Sequence, residues 1–398
     1  MTELFRWHPD TRLFAHGSEL RSSDALRLAG ARDLLALREG ILTGGEFLVA
    51  PDGISLVGIG ERGFVRLRSG GTTGAPKTIR RSHASWIANF ETNAAHLGLG
   101  TTDRYGVLGL PVHSLALYAI IEAAHVGANI HYLGGLRPRR QAQILANVGA
   151  SVLYATPTQL RLLVAAGVAL PTIRHVICGG GRLSGSLHER IAELCPNGVF
   201  REFYGAAETS FVAWGDGSGP AGSVGRAYPG VEIRIAAATG ERFGEIWVRS
   251  PYLFEAYLEG DSSITRRADG FLTLGEMGAL DQEGYLYIAG RRNRMVTIAD
   301  QNVFPEDIEA WFLSDPEVVH CAVLPTFDAQ RGHRLVAVIG NDLTPDRRDA
   351  LLSGCRAAFG PLVAPRRLLT LRDFPVTAAG KPNLAAIAER VEGAKWAG

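Results

Sequence analysis

Short apolar runs alternate with amphipathic segments through the first half of the chain. The runs at residues 64–68, 105–110, 129–133, 151–155, 172–178 and 199–203 are too short for helices and read as buried strands. Between them, residues 82–98, 114–127, 139–149, 157–167 and 184–194 carry helical periodicity. Several of these segments close on glycine, as helix C-termini do. Such alternation predicts an α/β fold, a mostly parallel sheet covered by helices, with ligands beyond the carboxyl ends of its strands. The glycine-rich loop after residues 64–68 follows a strand and is placed accordingly. After Gly217-Ser-Gly-Pro220 the pattern changes. Residues 232–236, 245–249 and 285–289 read as short strands joined by turns such as Asp269-Gly270 and Glu283-Gly284, a β-rich subdomain. The polar stretch Gly290-Arg-Arg-Asn-Arg294 then leads into a compact α+β unit. That unit has a helix from Pro305, strands near Ala322 and Val336, and a helix from Thr344. The expected division is a large domain over 1–290, a hinge over 291–294 and a small C-terminal domain over 295–398.

Composition narrows the function class. A chain of 398 residues accommodates two or three domains and a sizeable core. Lys+Arg number 41 against 40 Asp+Glu, so no large uniform field exists to favour nucleic acid or an anionic membrane as partner. Glycine, at 48 of 398 residues, exceeds the usual ~7% and suits the many tight loops of an α/β enzyme. The opening residues lack the order of a secretory signal. The best apolar run, 115–126, is interrupted by Glu122 and falls short of the ~18 residues of a membrane span. Cys178, Cys195, Cys321 and Cys355 are widely spaced and show no metal-like pairing, which points to a reduced, cytoplasmic setting.

The candidate chemistry starts at Gly71-Thr-Thr-Gly-Ala-Pro-Lys-Thr78. Every fixed position of a nucleoside-triphosphate P-loop is filled except one: Pro76 stands where a glycine precedes the lysine. Proline has no N–H and a φ fixed near about −65°, so a nest of amides closing onto a helix N-terminus is not expected. Phosphate chemistry remains within reach. Gly70, Gly71 and Gly74 allow close backbone approach, Thr72 and Thr73 add hydroxyl donors, and Lys77 adds a charge. On this window alone a phosphate-binding loop and a glycine-rich surface turn both stand.

Four further stretches bear on the choice: Cys178-Gly-Gly-Gly-Arg182, Tyr204-Gly-Ala-Ala-Glu208, Gly275-Glu276 followed by Gly290-Arg291, and Pro375-Val-Thr-Ala-Ala-Gly-Lys381. In order with Ser69-Gly-Gly-Thr-Thr-Gly-Ala-Pro-Lys77, they resemble the adenylate-forming superfamily of acyl- and aryl-CoA synthetases, nonribosomal adenylation domains and luciferases. In that family Thr-Gly-x-Pro-Lys is the ordinary phosphate loop. The continuation Lys77-Thr-Ile-Arg-Arg-Ser-His83 and the Tyr-Gly-x-Ala-Glu form are most similar to aryl-acid-activating members and small acyl-CoA synthetases.

The resemblance implies a site. Thr72 and Thr73 would bond phosphate oxygens as pyrophosphate leaves, with Gly70, Gly71, Gly74 and Lys77 in the same loop. Gly179, Gly180 and Gly181 would let adenine slide against bare backbone, and Tyr204, beside Gly205, would stack on it. Glu208 matches the Mg²⁺ ligand, a carboxylate suited to a hard cation that bridges phosphates. Glu276 stands where the family has the ribose-binding aspartate, with Leu274 in place of the usual Thr; Arg291 matches the arginine that also reaches the ribose. Lys381 matches the lysine that clamps the carboxylate and α-phosphate. His113 matches the His between acyl pocket and thiol tunnel, although a buried structural His reads as well. Glu276, Leu274 and a short leading segment, about sixty residues before the loop, depart from the pattern. The last suggests an acid pocket with an open outer wall, or one completed by a second subunit of a homodimer.

The expected activity is AMP-forming: a carboxylic acid, an aromatic one among the candidates, is joined to ATP with Mg²⁺ and then passed to a thiol, while the small mobile domain turns between steps. The acceptor is CoA or the phosphopantetheinyl arm of a carrier protein. A nucleotide-binding protein with degraded catalysis is the alternative of another class.

Overall fold

A computed structural model describes residues 3–57, 62–69, 77–181, 185–260, 264–298, 301–328, 332–377 and 381–394. Strand β1 (Leu13–Ala15) belongs to a sheet that counts fifteen strands among the described residues. Strands β2 (Phe64–Ser69) and β3 (Lys77–Ser82) stand apart from it, in a five-stranded sheet, paired antiparallel from Phe64↔Ser82 to Ser69↔Lys77. The first predicted strand is therefore correct as a strand but does not join the parallel sheet. The strands on either side of the glycine-rich stretch are antiparallel neighbours, and Lys77 opens a strand rather than a helix.

Helix α1 (His83–Leu97) follows at once, with Ser82 Oγ accepting from Ser85 N at its start. The alternation then runs as the hydrophobic pattern predicts. In chain order the elements are β4 (Arg104–Val107), α2 (Ser114–Val126), β5 (Asn129–Tyr132), α3 (Pro138–Val148), β6 (Val152–Ala155), α4 (Pro157–Ala166), β7 (His175–Cys178), α5 (Gly185–Leu194) and β8 (Val199–Ala206). Helices α1 to α4 each stop on a glycine in left-handed backbone, Gly98, Gly127, Gly149 and Gly167, a conformation that costs other residues a steric penalty.

These strands are parallel in the spatial order β8-β7-β6-β4-β5-β1. Because side chains alternate along a strand, each buries two faces. On β6, Val152 and Tyr154 enter the core packed by α1 and α2, whereas Leu153 and Ala155 enter the one packed by α3, α4 and α5. The chain moves outward from β4 to β5, then crosses back to β6. Neighbours β4 and β6 thus send their following helices to opposite faces, which opens a crevice at their carboxyl ends.

Strand β9 (Ser210–Gly215) returns antiparallel to β8 and carries the same sheet into the β-rich region. That region is an extension of the main sheet, with one strand, β10 (Ala256–Glu259), lent to the smaller sheet beside β3. Near its end β11 (Glu276–Leu280) and β12 (Tyr285–Arg291) pair so that Glu276 lies opposite Arg291. The C-terminal part matches the expected α+β unit. Strands β13 (Cys321–Asp328), β14 (Gly332–Ile339) and β15 (Arg367–Thr370) form its sheet. Helices α6 (Pro305–Leu313) and α7 (Pro345–Phe359) cover one face through Ile308, Phe312, Leu351 and Cys355, and α8 (Leu384–Ala394) covers the other through Ile387 and Val391.

Candidate active site

Turns at the carboxyl ends of β4, β6, β7 and β8 adjoin one another. A Cβ on Gly109, after β4, would sit 3.5 Å from Gln159 and 3.6 Å from His113 Nδ1. One on Gly180 would sit 3.7 Å from Thr156, and one on Gly181 would sit 3.5 Å from Pro157. Two of the glycines are obligatory. Gly179 lies so flat on Phe203 that a Cβ would fall 2.2 Å from the ring. Gly205 sits at a register shift between β8 and β9, where a Cβ would fall 1.8 Å from the Ser210 carbonyl. His113 is the N-cap of α2, and burial pulls its pKa below the ordinary histidine value, so the imidazole is neutral.

Tyr204, Glu276 and Arg291 come together, the last two from paired strands and Tyr204 from the end of β8. The Tyr204 hydroxyl donates to the Glu276 carboxylate, and the Arg291 guanidinium stands 3.8 Å from the other carboxylate oxygen. Burial, then the charge of Glu276, raises the Tyr204 phenol well above its usual pKa, so it stays a donor. Lys381 reaches the same cluster from the C-terminal unit, on a turn where Thr377 N donates to the Lys381 carbonyl at 2.7 Å. Its side chain is open to solvent yet ringed by protein. Desolvation, then Arg291, lowers its pKa, while Glu276 and Glu208 oppose the shift.

Glu208 lies in the turn between β8 and β9. Its carbonyl accepts from Phe254 N at 2.8 Å, and its Oε1 accepts from the Tyr257 hydroxyl at 3.0 Å. Lys77 Nζ stands 5.3 Å above the Tyr257 ring, so the lysine after the glycine-rich stretch and the carboxylate share one tyrosine. Behind them, Arg81 is fully buried and donates to the carbonyls of Ala207 and Tyr252. Burial brings its pKa down to about 9, which leaves it charged at neutral pH.

The pattern of AMP-binding enzyme matches residues 68–258, and that of the AMP-binding enzyme C-terminal domain matches residues 307–381. An uncharacterized acyl–CoA ligase of Bacillus subtilis is 30% identical over 329 residues, 81% of this chain and 67% of that protein. The chain belongs to the AMP-binding enzyme family. It is an AMP-forming acid–thiol ligase. A putative long chain fatty acid–CoA ligase of Staphylococcus haemolyticus is 27% identical, over 78% of this chain and 67% of that protein. Among solved structures, o-succinylbenzoate CoA synthetase from Bacillus subtilis shares the fold with a TM-score of 0.72 at 23% identity, covering 81% of this chain and 68% of that one. The amide bond synthetase from Marinactinospora thermotolerans does so with 0.71 at 23% identity, covering 84% and 71%.

In this AMP-binding enzyme the described residues of the expected site fall in one region. Tyr204, Glu276, Arg291, Glu208 and Lys381 interact electrostatically or by hydrogen bonds, Lys77 joins through Tyr257, and Gly179, Gly180, Gly181, Gly205 and His113 line the adjoining turns. Gly70, Gly71, Thr72, Thr73 and Gly74 lie outside the described residues, as does Arg182. Sequence reasoning missed Tyr257 and Arg81. Arg81 had a visible signal: with Ile79 it occupies the inward positions of β3, where an apolar residue is the ordinary choice.

Proposed function

We propose that the chain activates a small carboxylic acid with ATP and Mg²⁺ and transfers it to CoA. The observation that carries this reading is the joining of Tyr204, Glu276 and Arg291 by hydrogen bond and ion pair, with Lys381 of the C-terminal unit near enough to feel the charges of Arg291, Glu276 and Glu208. In it, Tyr204 and the bare backbone of Gly179–Gly181 receive adenine, and Glu276 with Arg291 receives the ribose. Glu276 is one methylene longer than aspartate, and its bond from Tyr204 draws the carboxylate back across the sheet. Glu208 fits a magnesium ligand: a carboxylate whose second oxygen takes no hydrogen bond from a described residue, suited to a cation held by one carboxylate and substrate phosphates. When bound, the cation neutralises phosphate charge.

No protein nucleophile is needed, because the acid's own carboxylate attacks the α-phosphate. Lys381 holds that carboxylate and the α-phosphate as negative charge gathers on the pentavalent centre. Lys77, Thr72 and Thr73 hold the departing pyrophosphate. The neutral His113 stands by the acid, at the crevice between β4 and β6. The small domain, 295–398, then turns about 291–294 for thiol transfer. CoA is favoured as acceptor by the names of the curated relatives. Four free, buried cysteines agree with a reduced cytoplasmic setting, and no described helix is long and apolar enough to cross a membrane.

Pyrophosphate release measured across a panel of aryl and alkyl acids, with and without CoA, tests the reading. Acid-dependent release followed by acyl-CoA formation is expected. Release with no acyl-CoA for any acid would reassign the acceptor, and no release at all would point to a nucleotide-binding protein without catalysis.

A further inference from the structure

A buried guanidinium is costly, several kcal/mol where nothing compensates it, and a residue such as Leu would fill the inward position on β3 without that cost. Arg81 has no ion-pair partner among the described residues within salt-bridge distance. Its hydrogen bonds go elsewhere: to the carbonyl of Ala207, to the carbonyl of Tyr252, and from Nε to Ser85 Oγ at 3.3 Å. The two carbonyls belong to the two segments that hold Glu208. Ala207 precedes it in the turn. The segment that starts at Tyr252 supplies Phe254 N to the Glu208 carbonyl and the Tyr257 hydroxyl to its Oε1. Arg81 itself lies on the strand that Lys77 opens. One side chain thus bolts the strand of the phosphate-loop lysine to both walls of the carboxylate turn.

We infer that Arg81 is a positioning residue for Glu208, fixing the carboxylate that would hold a divalent cation when the triphosphate is bound. The inference rests on the reading of Glu208 as the metal ligand. Outer partners of metal ligands commonly govern about 10–100-fold in metal affinity, so the effect is large enough to measure.

Mn²⁺ serves as the probe, its binding in the presence of a non-hydrolysable ATP analogue followed by electron paramagnetic resonance, and binding of the analogue alone followed in chelator. Arg81→Lys keeps the charge but loses the fork; Arg81→Gln keeps a donor without the charge. Each is expected to weaken Mn²⁺ by about tenfold and to leave metal-free nucleotide binding unchanged. In a Glu208→Gln background the Arg81 substitutions should cause no further loss, since they act only through that carboxylate. Unchanged Mn²⁺ affinity in the Arg81 variants, beside a loss in Glu208→Gln, overturns the inference alone. So does a further loss in the double variants, or failure of both Arg81 variants to fold, which would make the residue purely architectural. Unchanged Mn²⁺ affinity in Glu208→Gln overturns the metal reading and this inference with it.

Discussion

The Lys381 amine, open to solvent, feels repulsion from Arg291 and attraction from Glu276 and Glu208. On the proposed reading Lys381 gains most when the α-phosphate carries its greatest charge, so its contribution would belong to the transition state more than to ATP binding. Lys381→Ala is expected to slow acid-dependent pyrophosphate exchange by several orders of magnitude and to leave ATP affinity nearly intact; a variant that keeps more than about a tenth of the exchange rate contradicts the assignment. The lowered pKa also has a direction: the charge is lost at a pH below that of an ordinary lysine, so the exchange rate should decline correspondingly early on the alkaline side. Tyr204, Glu208, Glu276, Arg291 and Lys381 could be named from the sequence because each sits in a short local pattern. Arg81 and Tyr257 could not be given roles there. Arg81 acquires its meaning from carbonyls 126 and 171 residues away, and an inward arginine in a strand says only that something unusual faces it.

At the scale of elements, the helices and strands from β4 to β8 were legible because each is long enough to show its period and most end on a glycine or turn. Sheet membership was not. Strand β3 offers one aliphatic residue, Ile79, followed by two arginines, and its outer neighbour β10 lies in a distant part of the chain, so no local pattern reports the pairing. The stretch 291–294 shows the same limit. Arg294 forks onto Glu309 at 2.7 and 3.0 Å, lies 3.4 Å from Glu306, and donates to the Val323 carbonyl at 3.2 Å. All these partners lie beyond residue 294, whereas Arg291 and Arg292 reach back to Glu276 and Glu245. Arg294→Ala should therefore lower the melting temperature, through carboxylates left half-buried and unpaired, without changing the ratio of thioester formation to pyrophosphate exchange. A changed ratio at unchanged melting temperature would mean that the chain pivots on Arg294 itself.

The whole molecule carries opposing pH dependences. Burial lowers His83, His125 and His131 from the ordinary 6.5 to about 4, so each binds its proton more readily in the unfolded chain. Their neutrality stabilises the fold fully above about 6.5, and that stability is lost as pH falls toward 4. Glu122 acts in the other direction. Its carboxyl is buried among Tyr105, Tyr118, Tyr154 and Asn93, and desolvation raises it to about 7 despite their hydrogen bonds. The fold holds that proton longer than the unfolded chain, so Glu122 costs stability as pH rises from about 4.5 to about 7. Each group is worth on the order of 3 kcal/mol across its window, and three histidines outweigh one glutamate. Thermal melts should fall between pH 7 and pH 5, more steeply in Glu122→Gln than in the wild type; a melting temperature that rises toward pH 5 contradicts this balance. The central claim concerns what the assembled site does to ATP. The most direct test is to identify the nucleotide products formed from ATP labelled at the α and γ phosphates, in the presence of an accepted acid and CoA. The account predicts AMP and pyrophosphate in acid-dependent, equal amounts, and acid-dependent ADP and phosphate would contradict it.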